Sequence, residues 1–249
     1  MIDAYRTPWP QVAEHLRTGE GLAFLPFGAL EQHGPHLPLG TDTATATAVA
    51  RRLATRLDAV LLPPVHYGDT WNNAGYPGTL SLSAATVTAI AVDIGKALAA
   101  SGAGALVVVN GDWGNRNPLY SAIRTLQDEQ VIPALALDHP GWDAAATALR
   151  TSREAAPGLA HAEELETSLM LAIDPDTVHP ERYVSCYPAF PSDFGTRPMQ
   201  LHPFSESGVF GDPAPATAHT GEALLDAVVE GSLAVLEDLR AQVRARRGL

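Results

Sequence analysis

Short apolar runs alternate with alanine-rich amphipathic stretches along most of this chain. Leu22 to Gly28 reads as a buried strand, and Thr43 to Leu57 as a helix with Asp42 as its N-cap. Val60 to Val65 reads as a strand broken by prolines. Ala84 to Ala100 is helical, and the valine-rich run Ala105 to Asn110 is a second buried strand. Asn117 to Gln130 reads as a helix with Pro118 in its first turn, and Val131 to Leu137 as a further strand. Glu163 to Ile173 and Gly221 to Arg244 close the series as helices. Strands alternating with helices predict an α/β fold, a mostly parallel sheet covered on both faces. Residues 1–249 are expected to form one domain. Residues 174–215, rich in proline and aromatics, break the alternation. They read as an ordered excursion near a site or at a subunit contact.

Composition narrows the partners. A formal charge of −12 argues against a nucleic-acid backbone. The only basic cluster, Arg240, Arg244, Arg246 and Arg247, reads as the solvated end of the last helix. The single cysteine, Cys186, rules out an intrachain disulfide and fits a reducing compartment. As a small packed residue it needs no further role. The first ten residues lack a hydrophobic signal region, and no apolar run is long enough to cross a bilayer. The expectation is a cytoplasmic protein that acts on a small molecule, with no nucleic-acid or membrane partner.

The chemistry concentrates between Glu31 and Asp42, in E-Q-H-G-P-H-L-P-L-G-T-D. Two prolines and two glycines fix the path of this segment. Glu31 and His33, two residues apart, point to one side of an extended backbone. Oxygen and nitrogen donors on stiff backbone suit a divalent metal. In open α/β sheets ligands collect at the carboxyl ends of strands. The first strand leads to Glu31 and His33, and the valine-rich strand to Asp112, so both segments reach one edge of the sheet.

Gly28 to Asp42 matches every fixed position of G-x-x-E-Q-H-G-x-H-L-P-x-x-x-D, the first signature of the creatininase family of metal-dependent amidohydrolases. Tyr76 to Leu82 (Y-P-G-T-L-S-L), Asn110 to Asn115 (N-G-D-W-G-N) and His161 to Ser168 (H-A-E-E-L-E-T-S) resemble later segments of that family. So do Gly208 to Pro213 and Ala216 to Gly221, in the same order. The resemblance implies a creatininase-like three-layer α/β/α fold and a homohexamer. It also implies a centre of two divalent ions per chain, Mn, Zn or Fe. The implied ligands are Glu31, His33, Asp42, Asp112 and Glu166, with Asp42 bridging.

Asp112 stands where the family has histidine. One nitrogen and four carboxylates lean towards Mn²⁺ or Fe²⁺ over Zn²⁺. The competing reading of Asp112 is a cap for the helix near Asn117. Gly114 stands where creatininases carry a second-metal glutamate, and Glu166 is then expected to complete the site. By the same resemblance His161 moves protons beside the scissile bond, while His36 orients Glu31 or Asp42 from behind. Glu163 and Glu164 are expected to be solvated. Trp71, Tyr76 and Trp113 are expected to line the substrate pocket. Asn73, and Gly158 to Ala160, depart from creatininases proper and make creatinine itself a poor substrate. The implied reaction is hydrolysis of a non-peptide or cyclic amide C–N bond by a metal-activated water. Alternatives are a peptidase or deformylase of a cofactor or natural-product maturation pathway, a cyclising or dehydrating biosynthetic enzyme on the same site, and a non-catalytic metal-binding homologue.

Overall fold

In the computed structural model, which describes all 249 residues, the chain runs β1 (Ile2–Asp3), α1 (Trp9–Arg17), β2 (Leu22–Phe27), α2 (Thr41–Arg56), β3 (Val60–Leu61), α3 (Ala84–Ala100), β4 (Ala105–Asn110), α4 (Arg116–Asp128), β5 (Ala134–Leu137), α5 (Trp142–Leu149), α6 (Glu164–Ile173) and α7 (Ala218–Arg247). The strands form one parallel sheet in the order β1-β3-β2-β4-β5. At its centre β2 pairs with β4 from Leu22 opposite Ala105 to Phe27 opposite Asn110.

Every residue of these two strands is buried, because both faces are covered. Successive side chains point to opposite faces. Leu22, Phe24, Val107 and Val109 pack with α2, α5, α6 and α7, while Ala23, Leu25, Phe27, Leu106 and Val108 pack with α1, α3 and α4. Burying one large apolar side chain stabilises by about 1.5–3 kcal/mol, so the two layers together make the central strands the rigid part of the molecule. The result is the three-layer α/β/α arrangement expected from the sequence.

Several boundaries differ from expectation. Strand β3 stops at Leu61 because Pro63 and Pro64 have no N–H to give the ladder, and pairing resumes only as a single bridge between Val65 and Phe27. Strand β5 begins after Pro133 for a related reason. Helix α2 starts at Thr41 with Gly40 at its cap, so Asp42 lies inside the first turn and does not cap. A carboxylate is still favoured there by the positive end of the helix dipole. Helix α4 begins at Arg116, directly after a 3₁₀ turn over Trp113–Asn115. Three short elements, β1, α1 and α5, had no counterpart in the sequence reading. No helix is long and apolar enough to cross a membrane.

Residues 174–215 contain only short 3₁₀ turns and irregular backbone, yet they are tied down. Leu201 N donates to Asn72 O at 2.8 Å, and Cys186 and Gly211 exchange two backbone bonds at 2.9 and 2.8 Å. Phe190 stacks on Phe194 and Phe204, with ring centroids 4.0 and 5.2 Å away. The excursion is thereby held against the loops that follow β2 and β3.

Candidate metal centre

The site is built where the carboxyl ends of β2 and β4 meet the first turn of α2. Gly111 makes the approach possible: a Cβ there would stand 2.2 Å from the carbonyl oxygen of Asp42. The close contact of backbones brings Asp112 beside Asp42. Glu31, Asp42 and Asp112 each offer a carboxylate oxygen, all within 4.8 Å of one another. Glu31, His33 and His161 form a second such group, so Glu31 is common to both. His33 Nε2 lies 3.2 Å from Asp42 Oδ1 and 3.7 Å from Glu166 Oε2. Glu166 has the most exposed carboxylate of the set, at 20 %. Its Oε2 accepts a hydrogen bond from Ala162 N.

The donor atoms are prepared and left bare. His33 Nδ1 faces the Glu31 carbonyl oxygen at 3.2 Å, which fixes the ring and turns Nε2 inward. Buried His33 Nε2, Asp42 Oδ2 and Asp112 Oδ2 have no hydrogen-bond partner. A buried polar atom without a partner costs about 1–3 kcal/mol, so three around one point require an occupant. Burial pushes the Glu31 carboxyl well above its usual range, and the charges of Asp112 and Asp42 push it further. Asp112 is raised in the same way, by burial and then by Asp42. These acids cannot all ionise side by side without cations between them. Burial disfavours a charged His33, but Asp42 and Glu166 outweigh it and raise its pKa well above normal. The residues fit a divalent metal.

The two oxygens of Asp112 stand in different surroundings. Its Oδ1 accepts from Gly114 N at 3.2 Å and caps the 3₁₀ turn, not the helix near Asn117, while Oδ2 stays free. Gly114 has no room for a side chain, because a Cβ would stand 1.8 Å from the carbonyl oxygen of Asp69. The absent glutamate at that position is therefore enforced by the neighbouring loop.

His161 is buried, with Nε2 2.7 Å from Gln32 Nε2 and 2.8 Å from the Gln32 carbonyl oxygen, and Nδ1 3.8 Å from Glu31 Oε1. Burial, then the nearby charge of His33, pushes its pKa well below the usual value, which holds it neutral.

Other expectations need correction. His36 does not reach Glu31 or Asp42; its Nε2 meets Thr167 Oγ1 at 3.0 Å and its ring packs edge-on to Tyr183. Burial, with the charge of His33, lowers it to about 4. It therefore braces the α6 motif from behind. Glu163 and Glu164 are buried, not solvated. Glu163 is the N-cap of α6 and accepts from Leu165 N at 3.0 Å; burial, then Glu166, raises it to about 7. Glu164 accepts from Thr151 N and Ser152 N and anchors the segment before the site. Trp71 and Trp113 are exposed, at 48 % and 66 %. Tyr76 donates its hydroxyl to Ser205 O and so ties down the 174–215 excursion; burial raises it to about 12.

Two supporting residues escaped the sequence reading. Asn73 Nδ2 donates to Glu31 Oε2 at 3.0 Å, and Gln32 Nε2 lies 3.1 Å from both Asn73 Oδ1 and Gly208 O. Their signal was present, as Gln32 lies inside the first motif and Asn73 at a noted departure from creatininases. Nothing local showed that the two would meet.

The family model of creatininase, creatinine amidohydrolase, matches residues 6–236. The chain belongs to the creatininase family. It is 35 % identical over 217 residues to a mycofactocin precursor peptide peptidase of Mycobacterium ulcerans, covering 83 % of this chain and 80 % of that protein. It is 32 % identical over 237 residues to a creatinine amidohydrolase of Pseudomonas putida, covering 90 % and 91 %. A mutant creatininase of zinc–zinc type superposes with a TM-score of 0.83 at 29 % identity, over 94 % of this chain and 96 % of that one. The chain is thus a creatininase-family amidohydrolase with a candidate divalent-metal site.

Proposed function

We propose that this protein hydrolyses a C–N bond of a small non-peptide or cyclic amide through two divalent ions. The observation that carries this reading is the convergence of bare, buried Nε2 of His33 and Oδ2 of Asp42 and Asp112. Glu31, His33, Asp42, Asp112 and Glu166 would hold the ions, and one nitrogen among four carboxylates favours Mn²⁺ or Fe²⁺ over Zn²⁺. When bound, such ions lower the pKa of a coordinated water and polarise a carbonyl oxygen.

The chain's own groups supply the rest. His161 is held neutral, and its Nε2 lies between the Gln32 carbonyl oxygen at 2.8 Å and the Gln32 side-chain Nε2 at 2.7 Å. In the tautomer that donates Nε2–H to the carbonyl, Nδ1 is the acceptor on the side of Glu31. Nδ1 takes the proton that the attacking water loses and delivers it to the departing nitrogen. Asn73 fixes the Glu31 carboxylate through its second oxygen. The buried walls exclude bulk water and strengthen these contacts.

A peptidase reading is second. The 35 % identity to a mycofactocin precursor peptide peptidase favours it, as do the exposed indoles of Trp71 and Trp113, which suit an extended substrate.

Protein purified without chelator is expected to carry Mn, Fe or Zn at about one equivalent per chain or more. Metal-free protein that also ignores added Mn²⁺ and Zn²⁺ in a thermal melt would remove the reading. A panel of cyclic amides, N-acyl amino acids and short peptides, assayed with the loaded enzyme, then separates the first reading from the second.

Assembly as a hexamer is proposed from the family resemblance and from the proline- and aromatic-rich excursion over residues 174–215. Light scattering is expected to give six times the 26.3 kDa of one chain. A monomer mass at micromolar concentration overturns it.

A further inference from the structure

Almost every charge around the metal centre is negative. Glu31, Asp42, Asp112, Glu163 and Glu166 crowd the carboxyl ends of the strands. Arg150, with Nε 3.8 Å from Glu163 Oε2, offsets one of them, and Arg116 is the cation on the β4–β5 side. It opens α4, four residues after Asp112. Its Nε pairs with Asp138 Oδ2 at 2.6 Å, and its guanidinium carbon lies 6.0 Å from the centre of the Trp113 ring.

That position is engineered from below. Asn110 Nδ2 donates to Asp112 O at 2.8 Å and to Asp138 Oδ1 at 3.2 Å, and Asn110 Oδ1 accepts from Asp112 N at 3.2 Å. One short network therefore joins Arg116, Asp138, Asn110 and Asp112. Burial pushes the Asp138 carboxyl up, but hydrogen bonds from His139 and Arg116 outweigh this and hold it at about 2. Asp138 is thus a permanent anion that fixes the arginine. His139 adopts a left-handed backbone, φ +48°, rare for a side chain other than glycine.

A pairing through Nε leaves the Nη1–Nη2 end of the guanidinium for a second anion. A planar fork of this kind matches a carboxylate. Four carboxylates offset the charge of two divalent ions, so the loaded centre adds little net pull on an anion, and a fixed arginine on its rim discriminates. We propose that Arg116 recognises a carboxylate that the substrate carries beside its scissile amide. The inference rests on the amidohydrolase reading and narrows it to N-acyl amino acids and related amides that carry a carboxylate. Trp113, exposed beneath the guanidinium, offers a flat surface for the group between carboxylate and amide.

The test is calorimetric titration of the metal-loaded protein with N-acetylphenylalanine and its uncharged twin, N-acetylphenylalaninamide. The acid is expected to bind at least ~10-fold more tightly than the amide, the worth of one charge-assisted pair. Arg116→Gln should erase that ratio, and Arg116→Lys should keep part of it. Metal content should be unchanged in both variants, because Arg116 is half-exposed and touches no metal ligand directly. Equal binding of the twins, or no binding of either, overturns the proposal. So does a ratio that survives Arg116→Gln, which would send the carboxylate to the metal, or a variant that loses metal, which would make the arginine structural. The amidohydrolase reading is scored apart, by the metal content of the wild type and its hydrolysis of any of a panel of charged and uncharged amides.

Discussion

Asp112→Ala is expected to strip one equivalent of metal from the protein, or to weaken its binding by more than about 100-fold. The two oxygens of that carboxylate differ in their contacts. Oδ1 accepts from Gly114 N, and Oδ2 is buried without a partner beside Asp42 and Glu31. Losing the cap alone costs about 1 kcal/mol of stability and leaves metal affinity intact. Losing a residue that merely supports a ligand costs about 10–100-fold in affinity. A larger loss marks a ligand. Asp112→His adds a second imidazole to the set and removes one negative charge. It should move preference from Mn²⁺ towards Zn²⁺. Metal titration of both variants beside a thermal melt separates the cases. A lowered melting temperature with unchanged affinity would reduce Asp112 to a cap.

The second large effect is on turnover. His161→Ala is expected to lower kcat by about 10²–10⁴-fold, the usual contribution of a general acid–base group. Metal content should stay close to that of the wild type. The histidine is neutral, its Nε2 is taken by the Gln32 carbonyl, and its Nδ1 faces Glu31. The same Nδ1 belongs to a group of three donors that could grip an ion, so the metal measurement is the deciding one. Complete loss of metal from His161→Ala would reassign it as a ligand. Full activity would remove it from the mechanism.

Much of the fold was legible because its central elements are locally unambiguous. Leu22–Phe27 is apolar throughout and Ala105–Asn110 is apolar up to its last residue, a pattern typical of short strands covered on both faces. The helices over Ala84–Ala100 and Glu164–Ile173 likewise fell where the sequence placed them, within a residue. The short β1, α1 and α5 were not legible, since elements of two to nine residues carry too few positions to show a period.

The candidate site divides in the same way. Glu31, His33 and Asp42 could be read from one stiff segment, and Asp112 from the end of the valine-rich strand, because a strand's end predicts which edge of the sheet its loop will reach. Asn73 and Gln32 are 41 residues apart, and their hydrogen bond exists only once the loop after β3 folds over the loop after β2. The burial of Glu163 and Glu164 likewise depends on distant chain. Their charged side chains look solvated in sequence, but backbone N–H groups of Leu165, Thr151 and Ser152 satisfy them inside the fold. The sequence by itself thus determined the layers, the central strands and the family's ligand motif, all of which depend on neighbours a few residues apart. Tertiary structure alone decided which donor atoms are left bare and that Gly114 has no room for a side chain. It also decided that Arg116 is fixed over Trp113, because each of these depends on how closely separate loops approach.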